Sequence, residues 1–210
     1  MALLKGKDRE QVQKMFEQLT GNVKLVMFTQ EMECQYCRET RELAEEVAAL
    51  SDKIEAEVYD FVQDQEKVAQ YGIDKIPAIV VEGEQDYGIR FYGVTAGYEF
   101  TSLIEDILDV SAGDAKLLPD TKEALAKVDT PVHIQVFVTL MCPYCPAAVR
   151  MAHRLALASD HIRADMVESM EFPHLAQKYN VRGVPKSIIN EETDIEGALP
   201  EPMFVEKLLE

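Results

Sequence analysis

Residues 138–146 read Val-Thr-Leu-Met-Cys-Pro-Tyr-Cys-Pro, and residues 29–37 read Thr-Gln-Glu-Met-Glu-Cys-Gln-Tyr-Cys. These two stretches hold all four cysteines of the chain, as the pairs Cys34/Cys37 and Cys142/Cys145. Each follows a run rich in Val, Ile and Phe, Val23–Thr29 and Val132–Thr139, which predicts a buried strand leading into each pair. Two Cys-x-x-Cys pairs admit a tetrathiolate metal site or two redox dithiols. Structural zinc pairs usually stand about 15 to 20 residues apart, whereas Cys34 and Cys142 are separated by 108, which disfavours zinc.

Aligning the two pairs exposes an internal repeat. Tyr71-Gly72-Ile73-Asp74-Lys75-Ile76-Pro77 matches Tyr179-Asn180-Val181-Arg182-Gly183-Val184-Pro185, and each proline stands 43 residues after the first cysteine of its half. Each half reads strand, Cys-x-x-Cys, helix, strand, helix, Pro-led strand, strand, helix. Leu43, Val47 and Leu50 form one buried helical stripe, and Val149, Ala152, Leu155 and Ala156 form its counterpart. Second strands are expected over Ile54–Val62 and Ile162–Glu168, Pro-led strands over Ala78–Val81 and Lys186–Asn190, and closing helices over Ala96–Val110 and Pro202–Leu209. The fold class is α/β, with one unit over 1–113 and another over 114–210, the second entered through a helix over Asp120–Val128.

The chain has 210 residues, 47% hydrophobic and 28% charged, a globular composition that excludes disorder as its main state. A net charge of -17 repels phosphate backbones and anionic lipid surfaces, so neither nucleic acid nor a membrane is an expected partner. The N-terminus is charged by Lys5, no apolar leader follows it, and a cytoplasmic location is expected. The stretch from Pro131 to Val149 carries no Asp, Glu, Lys or Arg, but its three prolines, His133 and Gln135 make it a buried strand rather than a span.

The repeated arrangement resembles the thioredoxin superfamily used twice, and closely resembles the two-domain, glutaredoxin-like protein disulfide oxidoreductases of thermophilic archaea and bacteria. The resemblance implies two tandem thioredoxin-fold domains, each a central mixed sheet flanked by helices. It also implies thiol-disulfide exchange on protein substrates, intramolecular disulfides, no bound metal or other cofactor, and electrons supplied by a thioredoxin-reductase-type flavoprotein. Ile76-Pro77 and Val184-Pro185 are then expected as cis peptides facing the dithiols and binding substrate main chain. Two features depart from relatives: the buried acid that thioredoxins place six residues before the dithiol is Phe28 or Val136, and the glutaredoxin Gly-Gly pair is missing after both Pro-led strands.

Thiolate chemistry assigns the roles. The attacking cysteine needs a lowered pKa and exposure, which a helix N-terminus supplies, so Cys34 and Cys142 are expected as nucleophiles and Cys37 and Cys145, one turn on, as resolving thiols. Pro143 is placed in the first helical turn. Glu31 and Glu33 should raise the Cys34 thiol, whereas Arg150 favours a thiolate at Cys142. Asp60 and Glu168, each 17 residues before its proline, are candidate proton relays or plain strand-end acids. The four histidines and the methionines near the motifs are read as packing or surface groups. Two alternatives stay open: an electron-relay module of a peroxide-reducing flavoprotein system, although such modules generally retain one dithiol, and a metal-binding scaffold.

Overall fold

The computed structural model describes Leu4 and residues 6–210. Met1–Leu3 and Lys5, part of the terminus expected to lack a leader, lie outside the described residues. The order is α1 (Gly6–Phe16), β1 (Val23–Thr29), α2 (Cys37–Ala48), β2 (Ile54–Asp60), α3 (Gln65–Tyr71), β3 (Ala78–Glu82), β4 (Asp86–Tyr92) and α4 (Glu99–Ala112). After α5 (Pro119–Leu125) the pattern returns as β5 (Val132–Val138), α6 (Cys145–Ala158), β6 (Ile162–Glu168), α7 (Pro173–Lys178), β7 (Lys186–Ile189), β8 (Thr193–Glu196) and α8 (Glu201–Leu208). No helix among the described residues is long and apolar enough to cross a membrane. Helix α1 is the counterpart of α5, each standing ahead of the first strand of its repeat, and it packs through Val12 and Phe16.

Sequence pattern leads one to expect two sheets, and the two repeats instead share one. Its strand order is β2-β1-β3-β4-β6-β5-β7-β8, with β4 pairing parallel to β6 from Ile89↔Ala164 to Tyr92↔Val167. The seam forms because Ile89, Phe91, Ala164 and Met166 are at most 1% exposed, so apolar side chains on both strands leave water together. Pairings along the sheet send β1 and β5 in the same direction, with β3 and β7 returning antiparallel. Both Cys-x-x-Cys loops and both Pro-led strand starts therefore stand at one end of the sheet.

Over the seam, α4 lies beside α6. The expected stripe Val149, Ala152, Leu155 and Ala156 is buried, but Arg150 and His153 are buried too, because α4 covers a second face of α6. Arg150 pairs with Glu105 at 3.1 Å and with Asp106 and Asp109. Asp109 also meets Arg154 at 3.2 Å and Lys116 at 2.6 Å. His153, fully enclosed, shares a 2.6 Å hydrogen bond with Asp106, and burial pushes its pKa down to about 3, so it stays neutral. The Arg150 charge is thus committed to the acids of α4, which corrects its expected role as a cation serving Cys142.

Candidate functional site

Strands β1 and β5 end at Thr29 and Val138, and the chain turns through the dithiol loops before α2 and α6 begin at Cys37 and Cys145 with Tyr36 and Tyr144 as N-caps. Cys34 and Cys142 therefore stand just ahead of their helices rather than in the first turn. Pro143 stands ahead as well, and Pro146 takes the first-turn position where a missing N–H loses nothing. Cys34 is disulfide-bonded to Cys37 and Cys142 to Cys145, each with Cα atoms 5.5 Å apart. Cys37 and Cys145 are closed off, Cys142 is nearly so, and Cys34 is half-buried. The first amide of α6, Cys145 N–H, points at Cys142 Sγ at 3.1 Å, an arrangement that favours negative charge on that sulfur.

Ile76-Pro77 and Val184-Pro185 are both cis. Each proline carbonyl accepts a hydrogen bond from the glycine that follows β4 or β8, Gly93 N–H to Pro77 O at 2.9 Å and Gly197 N–H to Pro185 O at 2.8 Å. Cys142 Sγ lies 3.7 Å from the Val184 carbonyl oxygen, so the second dithiol and its proline loop are in contact. The first dithiol and its loop line one cleft of about 700 Å3, shared with Leu140, Met141, Glu168 and Glu171 of the second repeat. Another hollow of about 530 Å3 also reaches Cys34 and brings it together with Glu31, Asp60 and Asp64 and with Arg38 and Arg41, whose own ion pairs go to Glu39, Glu42 and Glu45 of α2.

The repeat-matched acids part company. Asp60 ends the edge strand β2, is half-buried, and accepts the N–H groups of Val62 and Gln63. Glu168 ends β6, which the fused sheet places between β4 and β5; it is 2% exposed, accepts Glu171 N–H at 2.8 Å, and burial raises its pKa. It opens on the cleft of Cys34, the other repeat's dithiol. Met32, Met141 and Met170 also differ from the packing role expected of them: each is more than three-quarters exposed, and Met141 and Met170 rim the cleft. Met27 and Met166 are core residues as expected.

Two further acids escape sequence reading, Glu171 because it serves across the seam and Glu99 because its enclosure comes from packing that spacing does not show. Glu171 accepts Val94 N–H at 2.6 Å, and burial pushes its pKa up to about 7. Glu99 begins α4 with no exposed surface; Ser102 donates to one of its oxygens at 2.7 Å and the other has no partner. Tyr98 N–H donates to Leu140 O at 3.2 Å, and the Glu105–Arg150 and Asp109–Arg154 contacts run parallel along α4 and α6, so Glu99 stands at the dithiol end of this helix pair.

Burial pushes Glu99 up to about 7. The unfolded chain releases this proton near pH 4.5 and the folded one near 7, so the native state loses relative stability as pH rises between them. E99Q is expected to gain about 3 kcal/mol over the parent between pH 4 and pH 8. Urea unfolding at both pH values checks this, and a difference independent of pH would refute it.

The thioredoxin domain family matches residues 22–105 and again 132–210. A protein disulfide oxidoreductase from Aeropyrum pernix superposes with a TM-score of 0.92 at 27% identity, covering 99% of this chain and 93% of that one. The NTD_N/C domain of alkylhydroperoxide reductase AhpF from Enterococcus faecalis gives 0.88 at 28% identity, with 95% and 97% covered. The corresponding alkyl hydroperoxide reductase protein of Xanthomonas campestris pv. phaseoli is 26% identical over 171 residues, 81% of this chain and 31% of that protein. The chain spans less than a third of the first curated relatives it matches.

Proposed function

Since the chain belongs to the thioredoxin domain family and carries that domain twice, we propose that it catalyses thiol-disulfide exchange on protein substrates through both dithiols. The observation that carries this reading is the repeated constellation of a Cys-x-x-Cys disulfide ahead of a helix and a cis X-Pro peptide at the same end of the sheet. In the reducing direction, a thiolate at Cys34 or Cys142 attacks one sulfur of a substrate disulfide, forming a mixed disulfide and releasing one substrate thiolate. Cys37 or Cys145 then attacks the enzyme sulfur, releasing the second substrate thiolate and closing the intramolecular disulfide. Two electrons pass to the substrate, and a reductant must restore the dithiol; the opposite sequence oxidises a dithiol substrate. The main-chain groups of Ile76 and Val184 offer the substrate strand its hydrogen bonds.

At the second dithiol, the Cys145 amide stabilises the attacking thiolate. Asp60, engaged in its own turn, is a capping acid in this scheme, and Glu168 acts toward the first dithiol. Electrons come from a thioredoxin-reductase-type flavoprotein in the cytoplasm, in keeping with the expected location. The likeness to the AhpF proteins of alkyl hydroperoxide reductases favours a second reading, in which the same chemistry passes electrons onward to a peroxide-reducing protein.

The test is reduction of insulin disulfides with dithiothreitol as electron source. A rate well above that of dithiothreitol alone is expected. No acceleration by protein with four titratable thiols would overturn the proposal.

A further inference from the structure

The two dithiol sites are near copies in sequence and differ in what stands behind their proline loops. Gly93 and Gly197 occupy matched positions, both with positive φ and both bonded to the proline carbonyl. A Cβ on Gly197 would meet nothing within 4 Å, whereas one on Gly93 would fall 2.7 Å from Glu168 Cβ and 2.8 Å from Glu171 Oε1. The first loop is therefore held from outside its own repeat. The connection runs from Pro77 O to Gly93 N–H, along the chain to Val94 N–H, to Glu171 Oε1, and from Glu171 N–H to Glu168 Oε2. Pro77, Val94, Glu168 and Glu171 line the cleft together with Cys34.

We propose that Glu171 of the second repeat is a positioning residue for the first dithiol: through Val94 and Gly93 it fixes the Pro77 loop on which a substrate strand docks beside Cys34, and its ionisation sets how firmly that loop is held. The inference rests on the exchange function proposed above. A hydrogen bond from an amide to a carboxylate is roughly twice as strong as one to a neutral acceptor. Burial, with the neighbouring Glu168 charge adding to it, pushes Glu171 up to about 7, so the stronger grip exists above neutral pH and weakens below it. Glu33, Tyr36 and Glu168 are the other charged or titratable side chains of the cleft beside Cys34, and no Lys, Arg or His among the described residues lines it. At the second site nothing stands within 4 Å of a Cβ placed on Gly197, so that loop is expected to lack this dependence.

The experiment uses the undivided 210-residue chain carrying C142S/C145S, which keeps the first dithiol alone, and a disulfide-bonded peptide with no group titrating between pH 6 and 8. KM should fall from pH 6 to pH 8. E171A should raise KM about tenfold at pH 8 with kcat changed by less than about threefold. E171Q keeps an acceptor for Val94 and should fold as the parent does, yet its KM should no longer fall with pH. In C34S/C37S, which keeps the second dithiol alone, E171A should leave KM unchanged. An E171Q protein with the parent's pH dependence, or an equal KM increase at the second dithiol, would overturn the inference while leaving the exchange function standing. Failure of C142S/C145S to reduce any disulfide would instead remove the functional reading of the first site, and this inference with it.

Discussion

Serine at both Cys34 and Cys142 is expected to reduce insulin turnover to the dithiothreitol background, a loss on the order of a thousandfold or more. The attacking group must be a thiolate, and a hydroxyl at the same position is not ionised near neutral pH. The remaining thiols cannot substitute, since Cys37 is 1% exposed and Cys145 has no exposed surface. Each single change, C34S or C142S, should leave the exchange of the untouched site, so the two singles apportion turnover between the sites. Insulin turbidity with the three variants is the measurement. A double variant that kept more than a few per cent of the parent rate would mean that the chemistry does not pass through these sulfurs.

R150A is expected to cost about 3 kcal/mol or more of unfolding free energy. Arg150 is 6% exposed and lies against Glu105, Asp106 and Asp109, of which the two aspartates are nearly enclosed. Truncation leaves Asp106 with neutral His153 alone and Asp109 with Arg154 and Lys116. The loss comes from stranding buried negative charge, not from removing a favourable pair as such. R150M/D106N/D109N, which removes both sides, should therefore be closer to the parent than R150A. Urea unfolding of the three proteins decides it; a triple variant as unstable as R150A would refute the charge argument.

Local relations are the ones this sequence displays. The strand before each dithiol, the helix after it and the Pro-led strand are local, and their periodicity and spacing are visible in Val23–Thr29, Val132–Val138 and the two prolines 43 residues on. What the sequence does not display is the pairing of β4 with β6, because Ile89, Phe91, Ala164 and Met166 look the same whether they face a partner strand or only a helix layer. Everything that the seam creates is hidden with it. Asp60 and Glu168 match in register yet one caps an edge-strand turn and the other is enclosed. Arg150 lies near Cys142 in sequence but is held by acids of α4. Glu171 is a surface-like acid by sequence whose hydrogen bond to Val94 crosses to the opposite repeat, and Glu99 is one whose full enclosure only the packed structure shows.

The continuous sheet also governs what division of the chain would do. Two separate four-stranded sheets would present four free rims; joined through β4 and β6, the described residues present two, at β2 and β8. A cut between residues 113 and 114 would bare β4 on one fragment and β6 on the other, each an unpaired row of backbone donors and acceptors flanked by newly wetted apolar side chains. Such rows recruit strands from other chains. Each fragment would then meet its own copies as a pairing template, so self-association is the natural fate of an isolated half, and the covalent tandem is what keeps the two rows for one another.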